Sequence, residues 1–355
     1  MTPIELIAGN KSLTTFKDAV ISKSMVNFYS NYYFKTNDTK LGRPSEWGFH
    51  LDDAAQIKMY DKKIFDGWVE DIDLESSNSK GSIIEIYGRD KTCDLVDCPY
   101  DGSNREWKNQ TAGSIVKNIC SYFGISITIE SSVQSQAETK IKTFKINEGQ
   151  IAQEMIQKIC TPLGILPYSK SDGKLTLGRA TTTDLISGGI ERGKNVLAHE
   201  IRLSNRNRYS KYIVKGMGIG DDNKSIEDWT QCSGEHSDYV VRRTRPMIMF
   251  SDNIAEKGLC KNYAKWIAWN RGCLSRLFKY TVSGWRTDNG DPWDINKLVK
   301  VKDPWFEIDE TMLIIDLDFY LAGGQSSRTD LLVVNKNIFS FQNKSVDVKM
   351  AAFDV

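Results

Sequence analysis

The sequence predicts an α+β fold, mainly β: two small β-barrels flanking an α/β module, with a long helix inserted into the second barrel. Three observations carry this. Residues 4–87 are a succession of short β-branched and aromatic runs without helical period. Residues 111–178 hold one helix–strand pattern twice, and residues 196–340 return to strand patterns around a single stretch with helical spacing. At 355 residues the chain is long for one core, which favours two or three domains. The expected boundaries are 1–90 for the first barrel and 91–180 for the module. Residues 181–217 and 277–355 are assigned to the second barrel, and 218–276 to the insertion.

Strands are expected at Ile4–Ala8, Phe16–Ile21, Val26–Phe34, Trp47–Leu51, Ile57–Tyr60, Ile64–Leu74 and Ser82–Tyr87. Asp61-Lys62-Lys63 reads as a hairpin turn and Asp66-Gly67 as a bend or bulge. So many short strands favour a closed barrel, since closure removes exposed edges. The stretch Gly88–Cys98, GRDKTCDLVDC, marks the border: Asp90 can cap a short helical turn through Val96, which Pro99 stops.

SIVKNICSYFGI from Ser114 aligns with EMIQKICTPLGI from Glu154. In each copy apolar residues fall at helical spacing, and the helix ends at a glycine, Gly124 or Gly164, suited to the left-handed cap. Strands follow from Ile125 and Leu166, and Ser171–Lys174 turns the second back into Leu175-x-Leu177. Such a module serves as a structural spacer or binds glycan. Residues 181–195 read as a linker; strands resume at Val196–Leu203 and Tyr209–Lys215, and Gly216–Asp238 is a polar, acidic excursion. Ser251–Leu277 is the long helix, with Asn253 and Glu256 as a capping box and Leu259, Tyr263, Trp266, Ile267 and Leu274 on its apolar face. Trp266 and Trp269 are either core or an inter-chain anchor. Strands at Phe278–Trp285, Leu298–Lys302, Met312–Leu321 and Thr329–Val334 complete the second barrel.

Composition excludes several classes. Lys plus Arg number 47 against 46 Asp plus Glu, so no global charge draws the chain to DNA or an anionic membrane. The seven cysteines include no C-x-x-C pair and read as reduced core thiols. The N-terminus lacks the pattern of a signal peptide, and no apolar run is long enough to span a bilayer. The three histidines, His50, His199 and His236, have no zinc-binding spacing, so no metal or cofactor is expected. Gly216–Gly220 is followed by Asp221 and Asp222, which would repel phosphate, and the calcium-loop-like Asp221-x-Asn223-x-Ser225 has Ile226 where glycine is needed. Asp71, Asp73 and Glu75 share one face of a strand, which a solvated face explains without a glycosidase pair. No catalytic residue is expected.

The segment GRDKTCDLVDC, followed by EWKNQT and a helix ending in FGI, resembles the baseplate hub protein of Mu-like bacteriophages. So do YIVKG at 212–216, RPMIMFSD at 245–252 and SGWRTDNGDPWDINKLVKV at 283–301, in the same order. This contractile-tail hub family is related to the hub part of VgrG-type spike proteins and to late control gene D proteins. The resemblance implies two tube-like β-barrels per chain and a homotrimer that joins a hexameric tail tube to a trimeric central spike and lines the channel. The implied partners are the tube or a tube-initiator protein, the spike, the tape-measure protein and other baseplate proteins. DNA is only passing cargo, no membrane is engaged, and the setting is the virion tail baseplate after assembly in the host bacterial cytoplasm. Alternatives are a hub with peptidoglycan-binding or cell-wall-degrading activity, or the base part of a secretion-system spike. Arg89, Asp90 and Lys91 and the loop from Trp285 to Trp293 lie at domain edges and are expected either to make inter-subunit contacts or to be locally capped turns.

Overall fold

The structure, a computed structural model, describes residues 3–37, 48–77, 81–216, 232–251, 257–323 and 326–339. The fold is α+β, mainly β. The N-terminal part supplies β1 (Ile4–Ala8), β2 (Lys11–Leu13), β3 (Asp18–Ser24), β4 (Asn31–Asn37), β5 (Ala54–Met59), β6 (Lys62–Trp68), β7 (Asp71–Ser77) and β8 (Gly81–Arg89). Strict alternation buries one face of β1, β3 and β4. The β5–β6 turn is Tyr60-Asp61, both at positive φ, so strand pairing resumes at Lys62, two residues earlier than expected. The run Ile64–Leu74 breaks in two because the chain changes partner. Val69 N donates to Asp53 O on the β5 side, whereas Glu70 N donates to Tyr87 O of β8. Leu51 lies in a turn, not a strand, and Trp47 lies outside the described residues.

The module follows with α1 (Asp94–Asp97), β9 (Glu106–Thr111), α2 (Ala112–Tyr122), β10 (Ile127–Ile129), α3 (Gln134–Ala137), β11 (Lys140–Lys145), α4 (Ala152–Cys160), β12 (Leu166–Ser169) and β13 (Leu175–Gly178). Asp90 caps the 3-10 turn Lys91–Cys93 that leads into α1. The two repeat helices bury Ile115, Val116, Ile119, Met155, Ile156 and Ile159 in one core with Trp107 and Phe144. Gly124 and Gly164 adopt φ of +69° and +65° at the helix ends. The β9–β11 pair was not foreseen; its charged, mostly exposed faces carry little apolar alternation.

The remainder comprises β14 (Leu185–Glu191), β15 (Val196–Leu203), β16 (Lys211–Gly216), β17 (Cys232–Ser237), β18 (Pro246–Ser251), α5 (Lys257–Leu274), β19 (Arg276–Ser283), β20 (Lys297–Asp303), β21 (Ile308–Leu321) and β22 (Arg328–Asn335). Two expectations change. The presumed linker contains β14, parallel to β20; its glycines disguise it, since a Cβ on Gly189 would stand 2.7 Å from Lys300 O. And β16, expected in the second barrel, forms its own sheet with β17 and β18, covered by α5 through Tyr212, Val214, Cys260, Ala264 and Ile267. Trp266 packs against this cluster and the main core, and Trp269 Nε1 donates to Asn337 O at 2.7 Å, so both tryptophans serve within the chain. The Asn253/Glu256 capping box, the glycine run at 217–220 and the calcium-like loop at 221–231 lie outside the described residues.

Strands expected in separate barrels are stitched into one sheet, which takes β3, β4, β7 and β8 from the N-terminal set, while β1, β2, β5 and β6 form a four-stranded sheet of their own in the order β2-β1-β5-β6. The main path of the stitched sheet runs β15-β19-β22-β21-β3-β4-β8-β7, antiparallel throughout, with β20 and β14 branching from β21. β21 makes the junction: its first half pairs with β20 and its second half with β3, Asp316 opposite Ser24 and Leu321 opposite Ala19. A single core joins Leu6, Phe34 and Ile84 to Leu313, Leu331 and Val333. Each half of the path has the same connectivity. Numbered in chain order within its half, β15-β19-β22-β21 reads first, second, fourth, third, and so does β3-β4-β8-β7.

Candidate assembly surfaces

A polar seam fixes the module to the β body. Asp90, 1% exposed, directly follows β8. Its Oδ2 accepts from Ser30 N at 2.8 Å and from the Ser169 hydroxyl, and its Oδ1 from Thr92 N at 3.2 Å and Thr92 Oγ1 at 2.6 Å. Burial raises the Asp90 carboxyl above its ordinary range, and these donors oppose the rise. Beside it, the buried Lys23 of β3 donates to Ser171 Oγ at 2.9 Å and pairs with Asp294. Asn296 then ties the module to the C-terminal half: its Nδ2 donates to Tyr168 Oη and Arg179 O, both at 2.9 Å, and its Oδ1 accepts from Thr181 N at 2.7 Å. Apart from Asp90, sequence reasoning missed the bonds of this seam, although Lys23 carried a signal: a lysine on the inward face of β3 with Ala19 and Ile21.

The five residues singled out from the sequence fall into two groups, both engaged within the chain. Arg89 forks onto Glu70 at 2.8 and 2.7 Å and onto Asp97 at 3.1 and 2.6 Å; Lys91 reaches Asp66 at 2.8 Å. These two keep part of their side chains in solvent; Asp90 does not. Trp285 and Trp293 are buried, Trp285 Nε1 donating to Tyr320 O at 3.1 Å, and so offer little side-chain area to another subunit. The loop between them clasps the β5–β6 hairpin instead, with the Arg286 guanidinium 3.2 Å from the Tyr60 ring centroid and Asp291 paired to Lys62.

Three further features stand out. Among the described residues the main path of the sheet ends in two unpaired strands, β7 and β15, where Leu74, Leu197 and Leu203 are 54, 62 and 51% exposed, and the branch ends in β14. The fully buried Asp303 carboxylate faces His199 Nδ1 at 2.5 Å and accepts from Trp305 N at 3.1 Å, while the imidazole lies against Phe306. The third feature is an open groove of about 710 Å³ lined by Asn205, Arg206, Arg243, Thr244 and Arg245. Among the described residues no three His, Cys, Asp or Glu side chains gather as metal ligands, and Asp71, Asp73 and Glu75 line the exposed edge β7.

Comparison with known proteins follows this architecture. The profile of the second domain of gp44-like baseplate hub proteins matches residues 92–179, and that of the fourth domain of the Mu phage baseplate assembly protein GpP matches residues 257–342. The baseplate hub protein gp44 of Escherichia phage Mu is 28% identical over 236 residues, 65% of this chain; the match spans 62% of that protein's length. The 43 kDa tail protein of prophage MuSo2 from Shewanella oneidensis superposes with a TM-score of 0.80 at 24% identity, over 95% of this chain and 99% of that one. The tail protein from Neisseria meningitidis MC58 gives 0.79 at 16% identity, over 95% and 97%. At such identities the two structures speak for the fold.

Proposed function

We propose, from the premise that this chain is a relative of the Mu-like baseplate hub proteins, that it is the structural hub of a contractile-tail baseplate. In this reading it is a homotrimeric adaptor that joins the hexameric tail tube to the trimeric central spike and lines the channel between them. The observation that carries this reading is the doubled strand order. Within the chain, the third strand of one half, β21, pairs with the first strand of the other, β3. Among the described residues the two ends of the path are again a third strand, β7, and a first strand, β15. A neighbour that lays its β15 along β7 repeats between chains the junction already made within one, and repetition of a head-to-tail contact closes a ring when the rotation allows. Three copies of two similar halves then offer near six-fold symmetry to the tube and three-fold symmetry to the spike. Exposed leucines on unpaired antiparallel edges favour such pairing.

On this reading the wall of the channel comes from residues 1–90 and the strands after 181, while the module at 91–180 and the insertion at 218–276 project from it. Arg89 and Lys91 remain as candidates for polar contact between subunits. The partners are the tail tube or its initiator, the spike, the tape-measure protein and other baseplate proteins. DNA passes as cargo, the location is the virion tail baseplate after assembly in the host bacterial cytoplasm, and covalent chemistry is left to other molecules.

The test is the mass of the purified chain by light scattering, for the wild type and for Leu74→Lys and Leu197→Lys, which place a charge on either free edge. The expected result is a trimer for the wild type and monomers for both variants, with unfolding free energies unchanged to within about 0.5 kcal/mol. A wild-type dimer or tetramer at every concentration, or a trimer that both variants leave intact, overturns the reading.

A further inference from the structure

The chain is nearly neutral, yet one place on it is not. The β15–β16 connection carries Arg206 and Arg208, and the β17–β18 connection carries Arg242, Arg243 and Arg245. Two of these build the site. Arg245 donates to Asn205 O at 3.1 Å and Arg206 O at 2.9 Å, lashing one loop to the other, and Arg208 forks onto Asp238 at 2.6 and 3.1 Å. Tyr209 is held between the guanidinium groups of Arg245 and Arg271, 5.0 and 5.3 Å from its ring centroid. Asp238 is thereby committed to Arg208. Arg206, Arg242 and Arg243 are exposed and have no carboxylate partner among the described residues. Arg206 and Arg243 line the 710 Å³ groove and Arg242 precedes Arg243 in the chain, so that pinned backbone and unpaired guanidinium groups together make a pre-organised fork for anions.

The surroundings select the class of anion. Arg245 leads directly into β18, an edge strand whose Ile248 and Phe250 are 53 and 76% exposed, and Tyr239 on the neighbouring turn is 91% exposed. Apolar side chains alternating along an edge that is unpaired among the described residues suit an added peptide strand, with pockets for alternate residues. A nucleic acid would want a longer basic track, whereas the edge that continues from these arginines is apolar at Ile248 and Phe250.

We propose that this groove and the β18 edge form a docking site for an extended acidic segment of a partner protein, carboxylates entering between Arg206, Arg242 and Arg243 and apolar residues lying on Ile248 and Phe250. The site stands whether or not the chain is a hub.

The test uses the full-length chain and a fluorescein-labelled peptide of alternating glutamate and leucine, with a single-stranded oligonucleotide of equal net charge as comparison, both titrated at about 20 mM and about 300 mM salt. The expected result is that the peptide binds more tightly than the oligonucleotide and weakens with salt. The triple variant Arg206→Gln/Arg242→Gln/Arg243→Gln should weaken peptide binding at least about ten-fold, and Phe250→Ser should weaken it while leaving oligonucleotide binding unchanged. Circular dichroism confirms that these exposed substitutions leave the fold intact. Absence of peptide binding at low salt, a tighter oligonucleotide, or a triple variant that binds as the wild type does overturns the proposal.

Discussion

Replacing Asp90 by alanine removes the acceptor of two backbone amides and two hydroxyls, and the structure allows the cost to be worked out. The Thr92 hydroxyl can turn wholly to Phe28 O, and Ser169 Oγ has Lys170 O at 3.5 Å. The amides of Ser30 and Thr92 have no such choice, and both residues are buried. Two orphaned donors at about 1–3 kcal/mol each give about 2–6 kcal/mol; relief of the carboxylate's own burial cost brings this towards about 3 kcal/mol. Asp90→Asn keeps one oxygen and turns its amide NH2, a donor, towards the other N–H, orphaning one backbone amide, so its cost is about half. That is a large share of a typical stability of about 5–15 kcal/mol. Urea unfolding at pH 7 followed by tryptophan fluorescence measures both. Because the Asp90 carboxyl is raised in the fold, its contribution is full below its unfolded value, about 4, and fades as the pH rises through the folded one. The gap between wild type and Asp90→Asn therefore narrows from pH 4 to pH 7. An alanine variant costing under about 1 kcal/mol, or an asparagine variant as damaging as alanine, would refute this account of the seam.

Three further outcomes are expected. Gly67→Ala puts a Cβ 2.1 Å from Arg89 O and 2.5 Å from Asp90 Cα, where β6 crosses the end of β8, so it should cost at least about 3 kcal/mol or abolish soluble expression. Gly258→Ala, on an exposed site of α5 with nothing within 4 Å, should instead stabilise by about 0.5–1 kcal/mol in the same urea assay. Burial pushes the Cys120 thiol up to about 12 and raises Cys160 as well, so at pH 8 neither should react with Ellman's reagent until the chain is unfolded; prompt titration of all seven thiols would contradict the packing described.

Much of the architecture was legible because local signals were strong. Ile4–Ala8 and Val196–Leu203 alternate or carry β-branched residues and end at the residues expected. Both repeat helices end at their glycines, and Asp90 caps its turn. What escaped depended on partners distant in sequence. Nothing near Leu185–Glu191 announces a strand that exists because β20 lies beside it. Periodicity could place β3 and β21 in separate units but could not say that Ala19 stands opposite Leu321. The seam was half legible: Asp90 was read as a cap, but its bonds to Ser30 and Ser169 join residues 60 and 79 positions away. Trp285 and Trp293 look like anchors in sequence because tryptophan suits interfaces and cores alike; only their burial separates the two roles.

The pairing of β3 with β21 also bears on how the protein is made. Residues 18–24 leave the ribosome early, but their hydrogen-bonding neighbour on one side is residues 316–321. At synthesis rates of about 5–20 residues per second, that flank of the nascent N-terminal half stays bare for about 15–60 s. A strand left waiting is an invitation to pair with the wrong chain, and several copies translated from one message would be close at hand. Slow, late closure of the body, with dependence on chaperones while residues 18–37 wait, is the kinetic signature of sewing the first quarter of a polypeptide to its last.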